Sequence, residues 1–171
     1  MQVSSLGYVT FGETAVKPLP SLNFTSEPTI APYWMMLEQC LVMYEWHNTS
    51  SSLMPRLVNL TGNGDIQTAL VVTWANCMPA PWEYNRGQSI TFQLALATDL
   101  SRLHALFTYP YGRSHLNEFS KHPTQVGFYD GISRTIVISM NWHGTNALNL
   151  KQAYNLDQQR GNTGEVTQIK F

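Results

Sequence analysis

The chain has 171 residues, enough for one domain with a hydrophobic core of its own. Charged residues make up 12% and apolar residues 43%, a balance that excludes an intrinsically disordered chain. Lys and Arg total 10 against 11 Asp and Glu, so there is no cationic excess to displace phosphate counterions or hold an anionic membrane surface, and nucleic acid is excluded as a partner class.

Segments of four to nine residues rich in β-branched and aromatic types recur along the chain, separated by Gly, Pro, Asn and Asp, which is the pattern of an antiparallel β protein. In chain order, Tyr8–Phe11 closes on Gly12, Ile30–Leu37 follows a Pro-bounded loop, and Leu41–Trp46 runs into the polar stretch His47–Ser52. The period then changes. Leu53, Leu57 and Leu60 recur at helical spacing, Ser51 or Ser52 is placed to cap, Pro55 falls in the tolerated first turn, and Gly62-Asn-Gly64 stops the pattern; one short helix is predicted at about residues 52–61.

Strands at Gln67–Ala75, Ser89–Thr98, Leu103–Tyr109, Gln125–Tyr129 and Thr135–Met140 follow, bounded by turn chemistry such as Asn85-Arg86-Gly87 and Asp130-Gly131. Ile90–Thr98 and Leu103–Tyr109 form the best hairpin, with Asp99–Arg102 as its turn and Phe92, Leu94 and Leu96 on one face. Pro79-Ala-Pro81 and the tail from Asn155 to Glu165 read as loops. No repeat or linker divides the chain, so a single domain over 1–171 is expected, with two packed sheets around Trp34, Trp74, Phe92 and Phe107. No apolar stretch approaches the roughly 20 residues that cross a bilayer, so this segment is not expected to insert into a membrane. The start, Met1-Gln-Val-Ser-Ser, lacks the order of a signal peptide, as expected of an expression start or a piece of a longer secreted precursor.

Cys40 and Cys77 admit one pairing and flank strand-like segments that place them on neighbouring strands; a disulfide worth roughly 4 kcal/mol and two buried free thiols stand level at this point. Asn23-Phe-Thr25, Asn48-Thr-Ser50 and Asn59-Leu-Thr61 are glycosylation sequons that lean toward secretion, although about two would arise by chance in a chain this rich in Asn, Ser and Thr.

His47, His104, His115, His122 and His143 sit in no metal or catalytic motif, and a zinc site on His115 and His122 lacks a third and fourth ligand, so neither a metal nor a cofactor is expected. Asp99 and Asp130 sit in apparent turns, where Asp bonds its own backbone more often than it serves an acid-base pair. Among the five tryptophans, Trp34 and Trp74 lie inside apolar strands. Trp82 and Tyr84, in Pro79-Ala-Pro-Trp-Glu-Tyr84, and Trp142, beside His143-Gly144, are the candidates for surface contacts.

The order of motifs carries more than any one of them. Leu6-Gly-Tyr-Val-Thr-Phe-Gly12, Thr29-Ile-Ala-Pro-Tyr-Trp34, Val71-Val-Thr-Trp74, Thr91-Phe-Gln-Leu-Ala-Leu-Ala-Thr-Asp99, Ala105-Leu-Phe-Thr-Tyr109 and Gln125-Val-Gly-Phe-Tyr-Asp-Gly131, closed by Gly161–Phe171, together resemble the NIDO domain of nidogen, alpha-tectorin and related membrane mucins. The resemblance spans nearly the whole chain. It implies an extracellular, non-catalytic module of cell-matrix adhesion or matrix assembly that contacts other matrix or cell-surface proteins. Within a secreted family the Cys40–Cys77 disulfide becomes the favoured reading. Two departures stand out. Many members carry an acidic pair after the Ala-Pro-aromatic-Trp motif, whereas Met35-Met-Leu-Glu-Gln-Cys40 leaves only Glu38, so a cation site there is not carried over. The family usually has a further strand upstream of Gly7-Tyr-Val-Thr-Phe11, and an edge left open by its loss would accept a strand from a partner or from a second copy.

The expectation is therefore a mainly β, antiparallel sandwich-like domain with one short helix, acting by protein–protein contact. A carbohydrate-binding β-sandwich with a groove at Trp82 or Trp142 is the alternative. A metal-dependent hydrolase built on His115, His122 or the carboxylates ranks third.

Overall fold

The computed structural model describes residues 1–12, 27–80, 89–108, 125–129, 135–137 and 152–153. Their elements, in chain order, are β1 (Gln2–Ser4), β2 (Tyr8–Thr10), β3 (Thr29–Trp34), β4 (Leu37–Glu38), β5 (Leu41–Asn48), α1 (Met54–Thr61), β6 (Thr68–Pro79), β7 (Ile90–Thr98), β8 (Leu103–Thr108), β9 (Gln125–Tyr129), β10 (Thr135–Val137) and β11 (Gln152–Ala153). The strands form a sheet of order β1-β2-β3-β9-β10 and a second of order β11-β8-β7-β6-β4, with β5 also paired to β6. The fold is mainly antiparallel β with one short helix among the described residues, as expected from the sequence. Trp34, Trp74, Phe92 and Phe107 are all buried. The chain forms two compact units: Met1–Val42, Trp74–Phe92 and Pro110–Leu148 in the first, and Met43–Thr73, Gln93–Tyr109 and Asn149–Phe171 in the second.

In the first unit β3 is the middle of the five-stranded sheet and is buried along its whole length. A strand covered on both faces has no use for alternation, which is why Thr29–Trp34 reads as a continuous apolar run. Its register against β9 shifts between Ala31 and Trp34, where Pro32 has no N–H to give to a ladder. After Met35 and Met36 the chain leaves this sheet and pairs with β6 as β4, Leu37 opposite Pro79 and Glu38 opposite Met78. The single strand expected at Ile30–Leu37 is thus two strands in different sheets. The same pairing extends β6 to Pro79, into the stretch expected as a loop, and Ala80 N–H continues it by donating to the Met36 carbonyl at 2.9 Å.

The sheets of this unit meet face to face. Trp74 of β6 stacks on Phe92 of β7 with ring centroids 5.1 Å apart and planes 14° from parallel, and Phe92 meets Tyr33 of β3 at 5.4 Å. The Trp74 indole Nε1–H donates to the Ser4 carbonyl at 2.7 Å, in the turn between β1 and β2. Gly7 closes that turn. Its N–H donates to the same Ser4 carbonyl at 3.2 Å, and its own carbonyl accepts from Tyr33 N–H at 3.3 Å. β1, which precedes the Gly-Tyr-Val-Thr-Phe motif and pairs with β2, was not anticipated from the sequence, and neither was β11.

In the second unit a helix packs on a sheet. Met54, Leu57, Ile66, Ala69, Ala95, Ala97 and Leu106 form one buried cluster, with Leu53, Val58, Leu60 and Val71 at its margin. Met54, Leu57 and Thr61 are the buried helical positions, and burial of Met54 and Leu57 is worth about 1.5–3 kcal/mol each. The helix begins two residues later than expected and without a side-chain cap; instead the Ser51 carbonyl accepts Met54 N–H and Ser51 Oγ accepts Leu53 N–H. It ends at Gly62 in the left-handed region, where glycine carries no Cβ penalty.

The hairpin of β7 and β8 has the predicted register, from Gln93 opposite Thr108 to Thr98 opposite Leu103. Alternation anticipated one buried face at Phe92, Leu94 and Leu96, yet Ala95 and Ala97 on the opposite face are buried too. α1 covers that face, and alanines let its backbone approach.

Gly7 supplies the first test. Its φ is +83°, and an added Cβ would overlap the Tyr33 carbonyl oxygen and lie 2.9 Å from Phe92 Cζ. Backbone strain and overpacking together set the expected loss for Gly7→Ala at about 3 kcal/mol by chemical denaturation. Gly62→Ala, in open surroundings, should cost about 1 kcal/mol; equal losses at the two sites would contradict the close approach described for Gly7.

Candidate interaction surface

The large aromatics expected at the surface, Trp82, Tyr84 and Trp142, lie outside the described residues, as do Asn23, His115, His122, His143 and Asp130. Asn48 is exposed at the end of β5 and Asn59 is exposed on α1. Glu38 stands exposed on β4. No group of three or more His, Cys, Asp or Glu placed to hold a metal ion occurs among the described residues.

The exposed aromatic surface that the structure does describe is one the sequence reading missed. On β5, Leu41 is 57%, Met43 45%, Tyr44 70% and Trp46 64% exposed. Successive strand residues face opposite sides, so Leu41 and Met43 share one face while Tyr44, Trp46 and Asn48 share the other. Among the described residues β5 pairs with β6 alone. Singly exposed apolar residues are ordinary, but a pair on each face of one strand at the edge of the described sheet gives two adjoining apolar surfaces of the kind that are covered by a partner or a ligand. The sequence carried only a partial signal: Glu45 and His47 make the Leu41 and Met43 face half polar, whereas Val42, Tyr44 and Trp46 alternate as an apolar face that looks the same as a buried one.

Local bonding fixes both ends of β5. At its start a disulfide joins Cys40 to the buried Cys77 of β6, with Cα atoms 4.1 Å apart. The backbone turns left-handed beside each cysteine, at Gln39 (φ 49°) and Asn76 (φ 53°). Residues other than glycine pay for that region in steric strain, and the cross-link holds the two kinks opposite one another. At its far end Asn48 opens a turn in which Ser51 N–H donates to the Asn48 carbonyl at 2.9 Å, and Ser50 N–H donates to Asn48 Oδ1 at 3.0 Å. His47 Nδ1 lies 2.8 Å from Ser51 Oγ, and the His47 carbonyl accepts from Thr68 Oγ1 at 2.9 Å.

Among the described residues, Asp99 and His104 form a partly buried cluster of the kind acid-base chemistry uses, and its bonding shows a different role. Asp99 Oδ1 accepts from Ser101 N–H, Ser101 Oγ–H and Arg102 N–H, and Oδ2 accepts from Asn63 Nδ2 at 2.8 Å. Asn63 Nδ2 also lies 3.2 Å from His104 Nε2, so that ring nitrogen is the acceptor and the imidazole is neutral. The cluster locks the β7–β8 turn. Hydrogen bonding, led by the Ser101 hydroxyl, holds the Asp99 carboxyl well below the usual carboxylate range, while burial lowers His104 against the pull of Asp99.

A family model, the nidogen-like domain NIDO, matches residues 1–163. The chain belongs to the NIDO family. No curated protein and no solved structure matches it. NIDO domains are modules of extracellular adhesion and matrix proteins and are in general non-catalytic, and a disulfide is consistent with the secretory pathway. In this NIDO domain the described motif residues Gly7, Tyr8, Tyr33, Trp34, Trp74 and Phe92 are core-building ones, all within the first unit. No helix among the described residues is long and apolar enough to cross a membrane.

Two measurements check these assignments. Replacing both Cys40 and Cys77 by Ser opens a loop with a sequence separation of 37 and should lower unfolding free energy by about 4 kcal/mol; unchanged stability would show that the cross-link constrains nothing. Both lowered pKa values make acid destabilising. His104, whose folded pKa lies below its unfolded value of 6.5, contributes stability above that pH that is lost below it; Asp99 contributes above its unfolded value of 3.8 and loses this as pH falls toward its folded value. The denaturation midpoint should therefore decline below pH 7 and again below pH 4, and His104→Gln should remove only the first decline.

Proposed function

We propose that this NIDO domain is a non-catalytic extracellular module that contacts matrix or cell-surface proteins in cell-matrix adhesion or matrix assembly. The observation that carries the reading is the exposed apolar edge strand β5 on a domain whose family motifs build the core. Its Leu41 and Met43 face supplies the protein contact, and its edge, unpaired among the described residues, is the strand-accepting feature, in place of the upstream edge suggested by sequence. Trp82, Tyr84 and Trp142 remain further contact candidates, and the chain is taken as a single domain over 1–171. Secretion places Asn23, Asn48 and Asn59 before the glycosylation machinery and gives Cys40 and Cys77 an oxidising compartment.

The test is binding of the purified, disulfide-bonded domain to immobilised matrix proteins and to cell-surface ectodomains, beside an array of free glycans. Binding to protein is expected, with an array that stays blank, and Leu41→Ser with Met43→Ser should weaken it about tenfold, the scale of a small hot spot. Retention by glycans alone, or turnover of a substrate lost on mutating a histidine, would replace this reading.

A further inference from the structure

The second face of β5 carries Tyr44, Trp46 and Asn48, and Asn48 opens the sequence Asn48-Thr-Ser50. We propose that Asn48 carries an N-linked glycan whose first N-acetylglucosamine packs on the Trp46 indole, covering the aromatic face of the strand. The proposal rests on the extracellular reading above, since the transferase acts on chains entering the secretory pathway.

The geometry favours this occupant over a protein. Asn48 follows Trp46 by two strand positions, so their side chains leave the same face about 6.6 Å apart, within reach of a sugar ring attached directly to the amide. Trp46 and Tyr44 are the two most exposed aromatic side chains described. The aromatic face is negative and the axial C–H groups of a pyranose are weakly positive, so the sugar's apolar side stacks on an indole as other electropositive edges do. Asn48 itself is exposed, and its carboxamide oxygen accepts from Ser50 N–H. That bond holds the amide turned toward the residue whose hydroxyl completes the sequon, while no bond to Nδ2 occurs among the described residues. The opposite face, with Leu41 and Met43, has no sequon asparagine and stays open to protein.

Asn59 provides the internal contrast. Its sequon lies on α1, where the completing Thr61 is buried with its hydroxyl donating to the Leu57 carbonyl at 2.9 Å. The residues one turn before it on the helix are Pro55 and Arg56, and the helix ends at Thr61 before a further turn, so no aromatic side chain of α1 neighbours it. A sugar there has no aromatic neighbour within α1 to stack on.

The chemical step is transfer of an oligosaccharide from a polyprenyl diphosphate donor. The bond from sugar C1 to the phosphate oxygen breaks, a bond from C1 to Asn48 Nδ2 forms, the amide gives up one proton, and polyprenyl diphosphate leaves.

The experiment uses the domain secreted from glycosylating eukaryotic cells, with occupancy read by glycopeptide mass spectrometry and the glycan trimmed to its first N-acetylglucosamine. Asn48 should be occupied. Asn48→Gln should lower the thermal midpoint by about 3 °C, and the same substitution in a Trp46→Ala background should leave it unchanged. An unoccupied Asn48, or an equal shift in both backgrounds, overturns the proposal. Matrix binding measured on the same material separates the two readings: binding retained with Asn48 bare sinks only the glycan, whereas a domain with Asn48 occupied and its midpoint coupled to Trp46, but blind to every protein, sinks only the adhesion role.

Discussion

A single carbonyl organises the first unit. The Ser4 carbonyl receives the Trp74 indole N–H and the Gly7 N–H together, and so ties the β1–β2 turn to a strand seventy residues away. A tryptophan with no solvent exposure must place its N–H on an acceptor or lose on the order of 1–3 kcal/mol to an unsatisfied donor. Once that bond is fixed, Trp74 lies flat on Phe92 and Phe92 reaches Tyr33, and Gly7 must lack a side chain because the Tyr33 carbonyl fills the place of its Cβ. Motifs that are weak and separate in the sequence are one contact in space.

The second unit meets its constraint differently. A short helix without a side-chain cap gains little from its own backbone, so its stability comes from Met54 and Leu57 against Ala69, Ala95, Ala97 and Leu106. The alanines are what make the strand pair able to accept a helix at close range. The turn that presents them is held by Asp99 through three donors of its own loop and by Asn63 just beyond the helix. Helix and hairpin are therefore joined by a polar clasp as well as by packing, and the clasp needs His104 neutral. Asp99 and His104 are here parts of the scaffold.

Much of the fold was legible. Alternation with a four-residue turn located β7 and β8 almost to the residue, and helical spacing followed by Gly62-Asn-Gly64 located α1. The switch of the chain from one sheet to the other at Met35 and Met36 was not legible, because an apolar run buried on both faces looks the same whether it continues or changes partner. The two-faced burial of β7 escaped for a related reason: Ala95 and Ala97 are too small to register as core until the helix that covers them is in place. Candidate sites fared less evenly. Asp99 was read correctly as a turn residue, whereas Trp46 was singled out neither for the core nor for the surface, because a tryptophan in a strand of mixed polarity fits both.

Trp46 is where scaffold and surface separate. The other described tryptophans, Trp34 and Trp74, are buried in the first unit, and their burial is required by what they touch. Trp46 touches little and is flanked by Glu45 and His47, so nothing within the described fold asks for an indole there. A large apolar side chain on an open edge strand is a liability for a secreted protein unless something covers it. The chain places a glycosylation sequon two residues further along the same face, and the turn after β5 holds that asparagine outward. Covering by an attached sugar resolves the liability without a partner, and it leaves the Leu41 and Met43 side of the strand as the surface through which a protein can still be met.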